Sequence, residues 1–417
     1  MTTTNSTAER VHAMDAVRAF ALLCGVALHA SMSFIPGLKI WAVDVHPSAS
    51  IAGMFYVIHA FRMTTFFVIA GFFGRMLLHK RGVKGFVSNR LKRIGLPLVA
   101  GWLILAPATI GAIIWGAIVM NHGVMPKAPV AAHPAAPWAG GFPLTHLWFL
   151  YVLVLLYVLA LAVRGLVVLV DRKGVLRRLL DRPVAAVLGG QAYVLVCAPL
   201  AVAFYLSPAW TMWSGVPTPD HNLVPEPTAL VAFGTAFGVG WLLHRQQHLL
   251  RVFERRWLLN LALAAVLLAG CLYLGATRFD AAIAAHGSMR ALGAGPYALA
   301  VWTSSVAVIG LGYRFLSGHH PAVRYLADAS YWVYLIHLPI VIVLQILAAP
   351  IDLPAWIKLG GIVGIAMAIM LASYEYLVRY SFIGAVLNGR RKRPVRLPSL
   401  PRPTDRELAL RQLAGDA

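Results

Sequence analysis

Met14-Asp-Ala-Val-Arg18-Ala-Phe-Ala-Leu-Leu-Cys-Gly-Val-Ala-Leu-His29 is an apolar run with a cation near one end and a histidine at the other. Arg18 and His29 are eleven positions apart. In a helix, at about 100° per residue, that is about three turns, so both side chains project from one face, roughly 16 Å apart along it. An ionisable pair inside an apolar segment is costly to keep in lipid and is read first as a functional site. Whether the segment crosses a bilayer depends on whether the rest of the chain repeats its apolar length.

It does. The chain has 417 residues, 59% of them hydrophobic, and its mean hydropathy is +0.73. Only 12% of residues are charged, against about 25% in a soluble domain. Ten apolar spans can be drawn, at 13–34, 50–78, 94–120, 146–170, 184–206, 226–243, 257–277, 294–316, 325–349 and 356–380. The expected fold class is therefore all-α, a polytopic membrane protein of about ten transmembrane helices. The net charge of +21 does not mark a nucleic-acid binder, because the cations collect in alternate short loops. Lys80, Arg81, Lys84, Arg90, Lys92 and Arg93 follow span two. Arg172, Lys173, Arg177, Arg178 and Arg182 follow span four, and Arg245, Arg251, Arg255 and Arg256 follow span six. Arg390, Arg391, Lys392, Arg393 and Arg396 follow span ten. The other loops hold scattered cations such as Lys39, Lys127, Arg278 and Arg290. The expectation is that both termini are cytoplasmic. The chain divides into a cytoplasmic segment 1–12, a membrane domain 13–380 and a basic cytoplasmic tail 381–417. Met1 to His12 lacks an apolar core and does not read as a cleavable signal peptide. Cys24, Cys197 and Cys271 all fall in apolar runs, which argues against a disulfide framework or a thiolate metal site.

With that orientation, depth can be assigned. His29, His59, His146 and His337 fall on four different spans, all in the outer half of the bilayer. Arg62 follows His59 by one turn on the same face. Arg18 lies about three turns deeper than His29, and Arg75, Arg90 and Arg93 lie at the inner mouth. Cations inside and histidines outside suit one anionic substrate from the cytoplasm and one polar acceptor from the far side. A phosphate-rich donor such as an acyl-CoA would meet Arg90 and Arg93, and a hydroxyl acceptor would meet a histidine. No HExxH or close His/Cys/carboxylate cluster supports a metal site. His319 and His320 are expected to be solvated. Trp210 and Trp213, in the Pro- and Gly-rich outer loop Ser207 to Pro225, are expected in an interfacial aromatic belt rather than stacked on a sugar.

Four stretches resemble the signature segments of membrane-bound acyltransferase family 3. They are Arg18-x10-His29, then Phe66-Phe-Val-Ile-Ala70-Gly-Phe-Phe73 with alanine where serine is usual, then Arg90-Leu-Lys-Arg93-Ile-Gly-Leu-Pro97. The last is Ser330-Tyr331-Trp-Val-Tyr334-Leu-Ile-His337-Leu-Pro339. The resemblance covers about residues 12 to 380 and keeps the order of the motifs. Within the family, His59-Ala-Phe-Arg62, His146-Leu-Trp148-Phe-Leu150 and Tyr374-Glu375 with the Ile383-to-Asn388-Gly-Arg end look closest to the members that succinylate osmoregulated periplasmic glucans.

That resemblance implies an O-acyltransferase of the bacterial inner membrane, with succinyl-CoA as donor, a glucan hydroxyl as acceptor and no tightly bound cofactor. Other glucan-biosynthesis proteins are implied partners. His29 would act as general base or acyl relay, with Arg18 and His337 beside it in the catalytic set. His59, Arg62, His146, Trp148 and Tyr334 would bind the acceptor or the acyl group, and Arg75, Arg90 and Arg93 the donor phosphates. Two rivals stand beside this reading. One is an O-acetyltransferase of another envelope glycan, with acetyl-CoA as donor. The other is a proton-coupled glycan or lipid transporter using Arg18 and His29 as a relay.

Overall fold

The structure, a computed structural model, describes residues 2–124, 141–190, 194–208, 210–278, 287–318 and 320–389. Lys127, His319 and the tail cations Arg390, Arg391, Lys392, Arg393 and Arg396 lie outside the described residues. The described chain is helical and contains no strand. Its helices are α1 (Thr2–Ser31), α2 (Ala49–Arg90), α3 (Leu96–Met120), α4 (Trp148–Val170), α5 (Val175–Leu179), α6 (Asp181–Leu188) and α7 (Val194–Leu206). There follow α8 (Pro227–Arg245), α9 (Leu250–Arg255), α10 (Trp257–Arg278), α11 (Gly287–Phe315), α12 (Pro321–Ala348), α13 (Ala355–Ser373) and α14 (Phe382–Leu387).

Eight of the described helical stretches are long and apolar enough to cross a bilayer. One of these is a single 72-residue stretch, Ala49–Met120, in which a π-helical turn, Leu91–Gly95, joins α2 to α3. It holds two of the expected spans. Two boundaries differ from the sequence reading. Helix α2 runs a turn past residue 78, is interrupted at Gly82, and resumes as a second helical piece to Arg90, so Lys80 and Arg81 end the first piece and Lys84 rides on the second. Gly82 bends this helix, with φ 64° and ψ −178°, a conformation only glycine adopts freely. The span expected at 184–206 is broken: α6 ends at Leu188, and α7 has only 13 residues, fewer than the roughly 17–25 of an ordinary transmembrane helix.

Helix α11 lies at the centre, flanked by α1, α2, α7, α9 and α10, and α12 packs along α1, α3 and α13. In lipid, helices are held by close packing rather than by water exclusion, so small residues let backbones meet. The α2–α8 crossing shows this. A Cβ on Gly71 would run into the Phe237 carbonyl, and one on Gly240 into the Val68 carbonyl. Beside the crossing, Phe67 stacks on Phe233 with ring centroids 4.6 Å apart, and Phe66 meets Phe149 edge-on at 5.0 Å.

The chain after α1 folds back as a strap, residues 35–48, pinned to α12 and α13. Lys358 Nζ donates to Asp44 Oδ1 at 2.6 Å, and the two side chains are 2% and 1% exposed. Nζ also donates to the Ile351 carbonyl at 2.8 Å, while the same Asp44 oxygen accepts from His46 N at 2.8 Å. One turn back on α12, Gln345 Oε1 accepts from Trp41 Nε1 at 2.8 Å, and its Nε2 donates to the carbonyls of His29 and Ala30 at 2.9 and 3.1 Å. Those carbonyls belong to the last turn of α1 and have no partner further along the helix. Gln345 thus fixes the end of α1 that carries His29.

Candidate active site

Four segments meet around a small cavity. Helix α1 contributes Gly25 and His29, and α2 contributes Arg62, Met63 and Phe66. The start of α4 brings His146, Trp148 and Phe149, and α12 brings Tyr334 and His337. No carboxylate is among the lining residues.

The local sequence explains how the α12 side is built. Pro339 lacks an N–H, so the carbonyl of Leu335 four residues earlier is left without its helical donor. His146 Nε2 takes that place at 2.8 Å. A carbonyl only accepts, so Nε2 carries the proton of His146. Tyr334 Oη donates to the His146 carbonyl at 2.7 Å, so α12 holds this residue by ring and backbone at once. The preceding residue, Thr145, has φ 50°, an outlier for a β-branched side chain. That turn aims His146 at α12.

The same reasoning settles His337. Its Nδ1 donates to the Tyr334 carbonyl at 2.7 Å, which leaves Nε2 as a lone-pair acceptor. That Nε2 is buried with no hydrogen-bond partner, and so is His29 Nδ1. The His29 and His337 rings are 5.1 Å apart, and His146 and His337 are 5.2 Å apart. Arg62 completes the group. It is 9% exposed and its Nε is buried without a partner. It reaches over Gly25, where a Cβ would lie 2.6 Å from Nη1. Gly25 is thus the residue that admits a guanidinium one turn from His29. Two imidazoles with unpartnered nitrogens and an arginine with no counter-charge in the lining are the groups needed to take a proton and stabilise a developing negative oxygen.

The structure brings together His29, Arg62, His146, Trp148, Tyr334 and His337 of the expected site residues. It does not bring Arg18 there. Arg18 pairs with Asp15 at 3.1 Å and lies over the Phe73 ring at 5.9 Å. Together with Arg81 and Arg90 it acts on Arg93 as a like charge, so it belongs to a second, cationic group. In that group Arg90 lies over the Tyr157 ring at 4.8 Å, and the Arg93 carbonyl accepts from Tyr331 Oη at 2.6 Å. Arg75 is elsewhere again, donating to the Trp241 carbonyl at 3.2 Å and interacting with Arg177, Asp181 and Arg245. His59 also falls outside the cavity, because the Ser207–Pro225 loop claims it: its Nε2 donates to the Ser214 carbonyl at 3.1 Å.

Trp210 and Trp213, expected in an interfacial belt, differ in their burial. Trp210 is 3% exposed and stacks on Phe204 at 4.6 Å, and Trp213 stacks on Tyr56 at 5.7 Å. The loop packs Trp210 against the helices, and Trp213 is 37% exposed. His320 is exposed, as expected. The pairing of Glu375 with Arg379 at 2.8 Å was open to a sequence reading, since the two are one turn apart. Gln345 was missed, although a glutamine eight residues after His337 in an apolar span is a visible signal. Thr145 and Gly25 gave none.

A family model described as an acyltransferase domain, that of acyltransferase family 3, matches residues 11–375. The chain belongs to acyltransferase family 3. Among curated proteins, a glucans biosynthesis protein C of Escherichia coli is 23% identical over 397 residues, which cover 92% of this chain and 95% of the relative. Another protein of that name, from a second Escherichia coli strain, is 30% identical over 154 residues, 36% of this chain and 37% of the relative. In that second case the match spans little more than a third of the relative's length. No solved structure matches the chain. This family 3 acyltransferase is a multi-pass membrane protein, and its cavity lies within the matched residues.

Proposed function

We propose that this acyltransferase transfers succinyl groups from succinyl-CoA to glucose hydroxyls of osmoregulated periplasmic glucans, in a bacterial inner membrane with both termini cytoplasmic. The observation that carries the reading is the cavity in which His29 Nδ1, His337 Nε2 and Arg62 Nε are buried and unpartnered. The acceptor class is supported by the relatives named for glucan biosynthesis.

In this mechanism a glucose hydroxyl lies against His29 Nδ1, the nitrogen left without a protein partner. His29 takes the hydroxyl proton as the oxygen attacks the thioester carbon. His337, its ring 5.1 Å from that of His29, positions the acceptor. Arg62 stabilises the oxyanion or pairs with the succinyl carboxylate. When the tetrahedral intermediate collapses, the C–S bond breaks and the sulfur leaves with the proton from the imidazolium as the CoA thiol. His146, Trp148 and Tyr334 orient the acceptor. Arg90 and Arg93, with Arg18 beside them, hold the CoA phosphates.

Mass spectrometry of periplasmic glucans from cells with and without the protein tests this. Loss of succinyl increments on deletion is the expected result. Unchanged glucans would overturn the succinyl assignment and turn attention to acetyl groups on other envelope glycans. Arg62→Lys divides its two roles. A loss seen with succinyl-CoA but not with acetyl-CoA assigns Arg62 to the carboxylate, and an equal loss with both assigns it to the oxyanion.

A further inference from the structure

A second group of unpartnered polar atoms lies beside the cavity, under the Ser207–Pro225 loop. Tyr56 Oη, Tyr297 Oη and His59 Nδ1 are all buried without a hydrogen-bond partner. Tyr56 is 2% exposed and Tyr297 0%. Their rings are 5.8 Å apart. His59 Nε2 donates to the Ser214 carbonyl, so Nδ1 is an acceptor. Buried polar groups are rarely left unpaired, because each forfeits its hydrogen bond to water. Three in one place call for a ligand.

What fills the space between them is the loop itself. Gly215 has φ 57°, and a Cβ on it would lie 2.5 Å from Tyr297 Oη, 2.8 Å from His59 Cδ2 and 3.2 Å from His59 Nε2. Only a bare backbone passes between these two side chains. The loop is tied to the helices, where Tyr151 Oη donates to the Leu223 carbonyl at 2.8 Å, and to itself. Thr211 Oγ1 and Ser214 Oγ exchange bonds with each other's backbone at 2.9 and 3.2 Å, and Trp210 Nε1 donates to the Gly215 carbonyl at 3.0 Å. Aromatic faces surround the polar atoms. Trp213 stacks on Tyr56 at 5.7 Å, and Phe55 stacks on His59 at 5.6 Å.

We propose that Tyr56, His59, Tyr297 and Trp213 form a subsite for a neutral sugar ring of the acceptor glycan, with the loop around Gly215 as its cover. Two phenol hydroxyls and one imidazole acceptor, with no charged side chain among them, match the hydroxyls of an uncharged ring, and the aromatic faces match its C–H faces. Lifting the Gly215 backbone frees the space between Tyr297 and His59. His59 and Arg62 are one turn apart on α2, so a ring held here places the next sugar of the chain at the cavity. The inference rests on the glucan-acylating reading for the identity of the ligand.

The test uses the full chain in lipid nanodiscs and unsubstituted glucan isolated from cells lacking the protein. In Tyr297→Phe and Tyr56→Phe, each short of one hydroxyl, KM for glucan rises about three- to tenfold while KM for succinyl-CoA keeps its value. Independently of any chemistry, Ser214→Cys is labelled with a membrane-impermeant maleimide, and glucan changes the labelling rate as the cover moves. Labelling that responds to glucan in a protein that transfers no succinyl keeps the subsite and discards the succinyl reading. Succinyl transfer with unchanged KM in both tyrosine variants, and labelling indifferent to glucan, overturns the subsite.

Discussion

Two buried polar groups sit at the same end of α1, and they treat their hydrogen bonds in opposite ways. In the strap, Lys358 has Asp44 and the Ile351 carbonyl, and Gln345 has Trp41, His29 and Ala30. Every group named there has a partner. In the cavity, His337 Nε2, His29 Nδ1 and Arg62 Nε have none. The polar atoms named are buried in both. A satisfied network fixes structure, whereas unused hydrogen-bonding capacity marks where a substrate supplies what the protein withholds. The two are joined through Gln345, which ties the carbonyl of the residue whose ring faces the cavity.

Breaking each group in turn gives different outcomes. The largest effect is expected from His29→Ala, which lowers acyl transfer by about 10²- to 10⁴-fold while the protein still accumulates in the membrane. Transfer at the wild-type rate in a membrane assay would remove His29 from the chemistry. Lys358→Met should do the reverse. It leaves Asp44 charged, buried and unpaired, and costs about 3–5 kcal/mol of stability. The double variant Asp44→Asn with Lys358→Met recovers much of that loss. Thermal midpoints in detergent check both, and turnover per folded molecule should match wild type. Gln345→Leu, which touches both groups, is expected to be the mildest on stability, at about 1–3 kcal/mol for the stranded carbonyls. It should lower kcat about tenfold through the displaced His29 ring and leave KM for the donor unchanged. A Gln345→Leu protein with normal kcat would show that the strap does not position the site.

The sequence carried most of the fold. Apolar runs of transmembrane length, with cations gathered between them, are local properties that any single segment displays, and the helices follow them except where glycines intervene. Gly82 interrupts α2 within a charged stretch, and the break between α6 and α7 shortened an expected span. Intramembrane His29, His146 and His337 were also legible, because polar groups stand out against an apolar background and helix rise gives their depth. Which of them share a cavity was not legible. His59 matched the others in depth yet was taken by the Ser214 carbonyl, and Arg62 rather than Arg18 came to lie beside His29.

Those outcomes depend on how helices are rotated and packed against one another, and one helix's periodicity does not encode its neighbour's rotation. The Gly71–Gly240 contact sets α2 against α8, Gly25 opens a berth for Arg62, and the carbonyl freed by Pro339 draws His146 onto α12. The sequence by itself determined that the chain is a membrane helical bundle with histidines on one level. The tertiary structure decided which of their nitrogens remain free to act, because a nitrogen's role follows from the partner opposite it, and the partners of His146 and His59 lie on other segments.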